Sequence, residues 1–139
     1  MKNFRMSGMI EILLVEDNPG DTRLVLDAFK DYKILNRIST VEDGVEAMAF
    51  LRKAGKYADK PRPDIILLDL NLPKKDGREV LAEIKDDPDF KKIPVVVLTT
   101  SDLEKDIAAS YEKHANCYLT KPVDFKDFLE VMKHLETFG

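Results

Sequence analysis

The chain has 139 residues, 44% of them hydrophobic and 35% charged, with a formal net charge of −4. That is enough chain for one substantial core, and the charge balance leaves no basic footprint for nucleic acid and no polybasic patch for a membrane surface. No apolar run approaches the ~20 residues that span a bilayer, and the single cysteine, Cys117, excludes an internal disulfide and CxxC metal chemistry.

The opening MKNFRMSGMIEILLVED has two early positive charges, but its apolar run stops at Glu16 and Asp17. It lacks the length and the small-residue cleavage site of a signal peptide, so the cytoplasm is the expected compartment. The first strand is EILLVED, followed by a helical pattern with Leu24, Val25, Ala28 and Phe29 on its expected inner face. RISTV is the second strand, and Val45, Met48, Ala49 and Leu51 mark the second helix. The segment RKAGKYADKPRPD then reads as a surface loop, its glycine and prolines ending that helix.

DIILLDL is the third strand, and Val80, Leu81 and Ile84 mark the third helix. IPVVVLTT is the fourth strand; the helical stripe after it, Leu103, Ile107, Ala108 and Tyr111, is weak for its length. CYLT is the fifth strand, with Cys117 expected as a small buried hydrophobe. The last helix has the clearest stripe, Phe125, Phe128, Leu129, Met132 and Leu135, with Asp124 placed to cap it.

The first, third and fourth strands are nearly continuous in apolar residues, which suits parallel strands covered on both faces. Alternating β and α units of this length predict an α/β fold, a parallel sheet with right-handed crossovers and helices on both faces. The expected organisation is an N-terminal extension over 1–8 and a single domain over 9–139, with no output domain attached.

Ligands of open parallel sheets bind beyond the carboxyl ends of the strands. Polar residues gather there: the first strand ends in Glu16 and Asp17, the third in Asp69, the fourth in Thr99 and Thr100, and the fifth in Thr120, Lys121 and Pro122. At an effective dielectric near 20, two like charges ~4 Å apart cost about 4 kcal/mol, so a cluster of three acids needs an offset. Lys121 supplies one positive charge. Carboxylates and carbonyls without His or Cys favour a hard divalent ion, Mg2+ first and Mn2+ as its substitute. A carboxylate beside such an ion, a hydroxyl and an ammonium has the makings of a phosphoryl acceptor.

Plainer readings stand beside this one. Asp69 can be a solvated strand end, Glu16 and Asp17 can cap the first helix, and Thr99 can simply close a strand. Lys121 can be a surface lysine at a turn, and Tyr118 a packing residue. His114 and His134 read as solvated helix residues.

LLVEDNP, LLDLNLPKKDG, VVVLTTS and YLTKP, in that order at successive strand ends, resemble the receiver domain of two-component response regulators over roughly Met9 to Leu135. EDNPGD, DGREVLAEIK and KYADKPRPD are similar to the stand-alone regulators paired with phytochrome-class histidine kinases. The resemblance implies a flavodoxin-like, five-stranded parallel sheet of order 2-1-3-4-5. It implies that Asp69 accepts a phosphoryl group from a kinase phosphohistidine. Asp17, Asp69 and the carbonyl of Asn71 then bind Mg2+, with Glu16 helping through a coordinated water. Thr99 contacts the phosphoryl group and moves toward it, Lys121 pairs with it ahead of a cis peptide to Pro122, and Tyr118 is a rotating aromatic switch. The expected output is a partner or homodimer surface on the fourth helix, fifth strand and last helix. Asn71 and Ser101 flank the site and are expected to tune hydrolysis of the phosphoaspartate. The protein is then a phosphoacceptor, not an enzyme. A haloacid-dehalogenase-like phosphohydrolase needs a second aspartate two residues after the nucleophile; that position is Asn71, an amide unable to transfer a proton at neutral pH. A receiver-shaped interaction module without phosphorylation is the remaining alternative.

Overall fold

Five parallel strands, β1 (Ile10–Val15), β2 (Asn36–Val41), β3 (Ile65–Asp69), β4 (Val95–Thr99) and β5 (Cys117–Thr120), form one sheet of order β2-β1-β3-β4-β5. The computed structural model describes residues 9–30, 36–72, 74–101, 103–106 and 117–138, with the side chains of the last helix described to Lys133. The helices are α1 (Pro19–Lys30), α2 (Gly44–Leu51), α3 (Gly77–Asp86) and α4 (Phe125–Phe138), and a helical turn lies at 103–106.

Alternation along each strand sends side chains to two separate cores. Leu13, Val15, Ile66, Leu68, Val95 and Val97 meet Met48, Leu51, Val80, Leu81 and Ile84 of α2 and α3. Ile12, Leu14, Ile65, Leu67, Val96 and Leu98 meet Val25 and Phe29 of α1 and Phe125, Phe128 and Met132 of α4. The second core centres on Phe29, whose ring lies 4.9 Å from that of Phe125 and 4.8 Å from that of Phe128. Burial on both faces explains the continuous apolar runs of β1, β3 and β4.

Some helix faces differ from the expected stripes. Leu24 (51% exposed), Val45 (53%) and Leu103 (69%) face outward. In α2 the sequence GVEAMAFL is apolar nearly all round, so periodicity alone does not select its inner face, and the residues packed inward are Ala47, Met48, Phe50 and Leu51. Ile107, Ala108, Tyr111 and His114 lie outside the described residues, as do the side chains of His134 and Leu135. Cys117 is half-buried, because the edge strand β5 is only partly covered.

The helix ends are set locally. Asn18, not Glu16 or Asp17, caps α1: its Oδ1 accepts the Asp21 N–H at 3.0 Å, with Pro19 as the first helical residue. Asp124 caps α4 as expected, its Oδ1 accepting the Lys126 N–H at 2.7 Å. Neither glycine nor proline ends α2. Lys53 takes the left-handed conformation (φ 55°), and the N–H groups of Lys53 and Ala54 donate to the carbonyls of Phe50 and Ala49. That is a Schellman motif built on a lysine. The following loop is not featureless: Gly55–Tyr57 is a 3-10 turn, and Tyr57 lies 5.4 Å from the Phe50 ring against the core.

Candidate functional site

Strand register places the site. Val15 is level with Leu68, so Glu16, one residue on, stands level with Asp69; Asp69 is level with Leu98, and Thr99 with Thr120. The ladder continues past the strand ends, with Glu16 N–H donating to the Val41 carbonyl at 3.0 Å and Lys121 N–H to that of Thr99 at 2.7 Å. Glu16, Asp69 and Lys121 are thereby delivered to one edge by strands 105 residues apart in sequence at their extremes, from Glu16 to Lys121 (121 − 16).

Lys121 is the hub. Its Nζ lies 2.9 Å from Glu16 Oε1, 3.0 Å from Asp69 Oδ2 and 3.1 Å from Asp21 Oδ2. The peptide to Pro122 is cis, as the resemblance implies. Burial opposes the ammonium, but contact with Glu16, Asp69 and Asp21 raises its pKa above the usual lysine range. The other Asp69 oxygen, Oδ1, accepts the Asn71 N–H at 2.9 Å. Asp69 is 3% exposed and Glu16 3%, so neither is a solvated strand end, and Lys121 is no free surface lysine.

Glu16, Asp17 and Asp69 each offer an oxygen within 4.8 Å of the others. Among the described residues Oε1 of Glu16 is fully buried with no aligned hydrogen bond, and the Lys121 ammonium lies 2.9 Å from it. Three carboxylates, those of Glu16, Asp21 and Asp69, thus share one ammonium, with Asp17 a fourth acid beside them. An oxygen-only donor set with this excess of negative charge fits a hard divalent cation such as Mg2+ or Mn2+. A cleft of about 420 Å³ opens beside Glu16 and Asp17, lined also by Thr22, Arg23, Leu26 and Thr40.

Burial, together with the adjacent Asp69 and against the pull of Lys121, raises the Glu16 carboxyl from 4.5 to about 7. Between those values the folded, metal-free protein holds a proton that the unfolded chain has released. Its contribution to stability is therefore complete below about 4.5 and is lost as pH rises through about 7. A divalent ion requires the ionised carboxylate and should reverse the loss. Mg2+ at ten times its dissociation constant should add about 1.4 kcal/mol, with a larger rise in melting temperature near pH 8 than near pH 5. Melting in EDTA and in Mg2+ across that range checks this; a melting temperature indifferent to Mg2+ would contradict it.

The remaining expected residues lie on β4, β5 and the loops after β3 and β4. Thr99 is completely buried, and its hydroxyl makes long contacts, 3.4 Å each, to the carbonyls of Ser101 and Leu119. Tyr118 is half-buried against the core of the α2–α3 face. Asn71 is exposed beside Asp69, and the Ser101 hydroxyl accepts the Glu104 N–H at 3.1 Å. Three residues escaped the sequence reading. Asp21 is the last acid of EDNPGD, and only the path of α1 brings it back over Lys121. Glu104 lies in the Ser-x-x-Glu signature of SDLE, a capping motif visible in the sequence. Gly77 was also unrecognised: a Cβ there would meet the Asp69 carbonyl oxygen and Leu70 Cα, each at 2.5 Å.

A parallel sheet of this order, with acids at the ends of its first and third strands and a lysine after its fifth, is the architecture of a two-component signalling receiver. The response regulator receiver domain model matches residues 12–133, and the chain belongs to that family. It is 58% identical to the response regulator Rcp1 of Synechocystis sp. (strain ATCC 27184 / PCC 6803 / Kazusa) over 127 residues, covering 91% of this chain and 86% of that protein. Among solved structures, the phosphorylated cyanobacterial phytochrome response regulator RcpA is 54% identical with a TM-score of 0.74, covering 94% of each chain. The Mn2+-bound form of Rcp1 is 56% identical with a TM-score of 0.73, covering 93% of each chain. Among the described residues, no helix is long and apolar enough to cross a membrane.

Proposed function

We propose that this chain is a phosphorylation switch in which Asp69 takes a phosphoryl group from the phosphohistidine of a phytochrome-class sensor kinase. The observation that carries the reading is the buried Asp69 carboxylate, held 3.0 Å from Lys121 within an oxygen cluster suited to a divalent ion. In the transfer an Asp69 oxygen forms the new bond to phosphorus as the phosphorus–nitrogen bond of the phosphohistidine breaks. Asp17, Asp69 and the Asn71 carbonyl would hold Mg2+, with Glu16 acting through a coordinated water. Bound there, the ion neutralises charge on the transferring oxygens.

Lys121 holds the acceptor carboxylate and turns its ammonium toward the same oxygens. Thr99 would exchange its two long carbonyl contacts for one to the phosphoryl group, and Tyr118 would turn inward behind it. The surface so altered is the segment after β4, with β5 and α4, read by a partner or by a second copy of the chain. Asn71 and Ser101 set how fast the acyl phosphate hydrolyses. The chain acts as phosphoacceptor in the cytoplasm, residues 9–139 forming the receiver and 1–8 an extension. The phytochrome-class kinase is supported by similarity to the cyanobacterial phytochrome response regulator RcpA.

An autophosphorylated kinase module of that class, with label on its histidine, should transfer the label to this chain in Mg2+. The product should be labile to hydroxylamine, as an acyl phosphate is. Label retained on the kinase, while a receiver known to accept from it is labelled, would refute the partner assignment.

A further inference from the structure

Glu104 borders the acceptor site but has no part in the chemistry above. It lies in the helical turn at 103–106, and its carboxylate joins two loops. After β4 it accepts the Thr100 N–H at 3.0 Å and the Thr100 hydroxyl at 2.9 Å; after β3 it accepts the Asn71 side-chain amide at 3.4 Å. Its own N–H donates to Ser101 Oγ. Helix capping accounts for the contacts to Thr100 and Ser101. It does not account for the reach to Asn71, 33 residues earlier in the chain.

The Glu104 carboxylate thus takes three donated hydrogen bonds, two from Thr100 and one from Asn71. Near neutral pH it is ionised and can only accept. An acceptor-only partner settles which end of the Asn71 amide faces it: Nδ2 turns toward Glu104 and Oδ1 turns away. The Asn71 backbone is anchored at the same time, its N–H on Asp69 Oδ1. The amide oxygen is therefore held in one orientation two residues from the acceptor.

We propose that Glu104 is a positioning residue for loss of the phosphoryl group: by holding Asn71 Nδ2, it presents Asn71 Oδ1 to the water that hydrolyses the Asp69 acyl phosphate. The proposal rests on the acceptor reading of Asp69. In this step the water oxygen forms a new bond to phosphorus, and the bond from phosphorus to the Asp69 oxygen breaks. Asp69 leaves as carboxylate, and the inorganic phosphate carries both hydrogens of the water. A hydrogen bond from that water to Oδ1 aims its lone pair at phosphorus. An untethered Asn71 side chain would spend only part of its time in that orientation.

The test follows decay of the added mass after labelling with acetyl phosphate and Mg2+ and removal of the donor. Glu104→Gln keeps an oxygen for Thr100 but sets an amide donor against Asn71. It should slow hydrolysis about fivefold, the kinetic equivalent of one net hydrogen bond. In an Asn71→Ala background the same substitution should change nothing, because the group it acts through is gone. An unchanged rate in the native background, or the same factor in both backgrounds, would overturn the proposal. A second readout needs no phosphoryl group: Glu104→Gln should shift the side-chain amide resonances of Asn71, and resonances that stay in place overturn it too. A wild type that takes up no phosphoryl group removes the acceptor reading and this proposal together. A wild type that labels normally while Glu104→Gln is indifferent removes the proposal alone.

Discussion

Lys121→Met should destabilise the metal-free protein by about 3 kcal/mol near pH 8, as expected when one partner of a buried ion pair is removed. Methionine keeps the apolar stem and deletes the charge, so the loss reports the ammonium and not the packing. What remains is Glu16, Asp21 and Asp69 converging on an empty space, with Glu16 and Asp69 almost wholly buried. The loss should shrink near pH 5, where the raised pKa of Glu16 lets it take a proton, and Mg2+ should restore part of the stability near pH 8. Phosphoryl uptake should fall about a hundredfold or more, the usual cost of one donor aimed at developing charge. Urea unfolding in EDTA and labelling by acetyl phosphate measure the two effects. Wild-type values for both would remove Lys121 from the centre of the site.

Gly77→Ala should be the next most damaging change, although it adds only a methyl group and lies eight residues from Asp69 (77 − 69). The added Cβ would sit 2.5 Å from the Asp69 carbonyl oxygen, 2.5 Å from Leu70 Cα and 2.8 Å from the Leu70 carbonyl oxygen. These are backbone atoms and cannot rotate aside. Gly77 N–H also donates to the Leu70 carbonyl at 3.1 Å, so the helix start and the strand end are already joined. Relief requires α3 or the end of β3 to shift. A stability loss of about 2 kcal/mol is expected for overpacking of this kind, and phosphoryl uptake should slow about tenfold to a hundredfold as Asp69 is displaced. Loss of stability with unaltered uptake would mean that α3 alone absorbs the strain.

Much of this architecture was legible because the strands are covered on both faces. IILL and VVVL have no amphipathic alternative, and a polar residue at the end of such a run is conspicuous. Glu16, Asp17, Asp69, Thr99 and Lys121 could be gathered from strand ends alone, since a parallel sheet delivers those ends to one edge. Asp21 could not, because its contact depends on how the first turn of α1 meets Lys121 after β5, which no local pattern encodes. Gly77 escaped for the same reason: its constraint is the backbone of another element. Val45 and Leu24 are apolar residues whose faces are decided by packing and not by periodicity. The end of α2 at Lys53 was hidden because a lysine seldom takes a conformation usually left to glycine.

The most direct test of phosphoacceptor function is intact-protein mass after incubation with acetyl phosphate, with and without Mg2+, on wild type and on Asp69→Asn. The site described here predicts one added phosphoryl group on the wild type in Mg2+, none in EDTA and none on Asp69→Asn. A wild type that gains no phosphoryl group and also fails to bind a beryllofluoride analogue would contradict it, leaving a receiver-shaped module that works by contact alone.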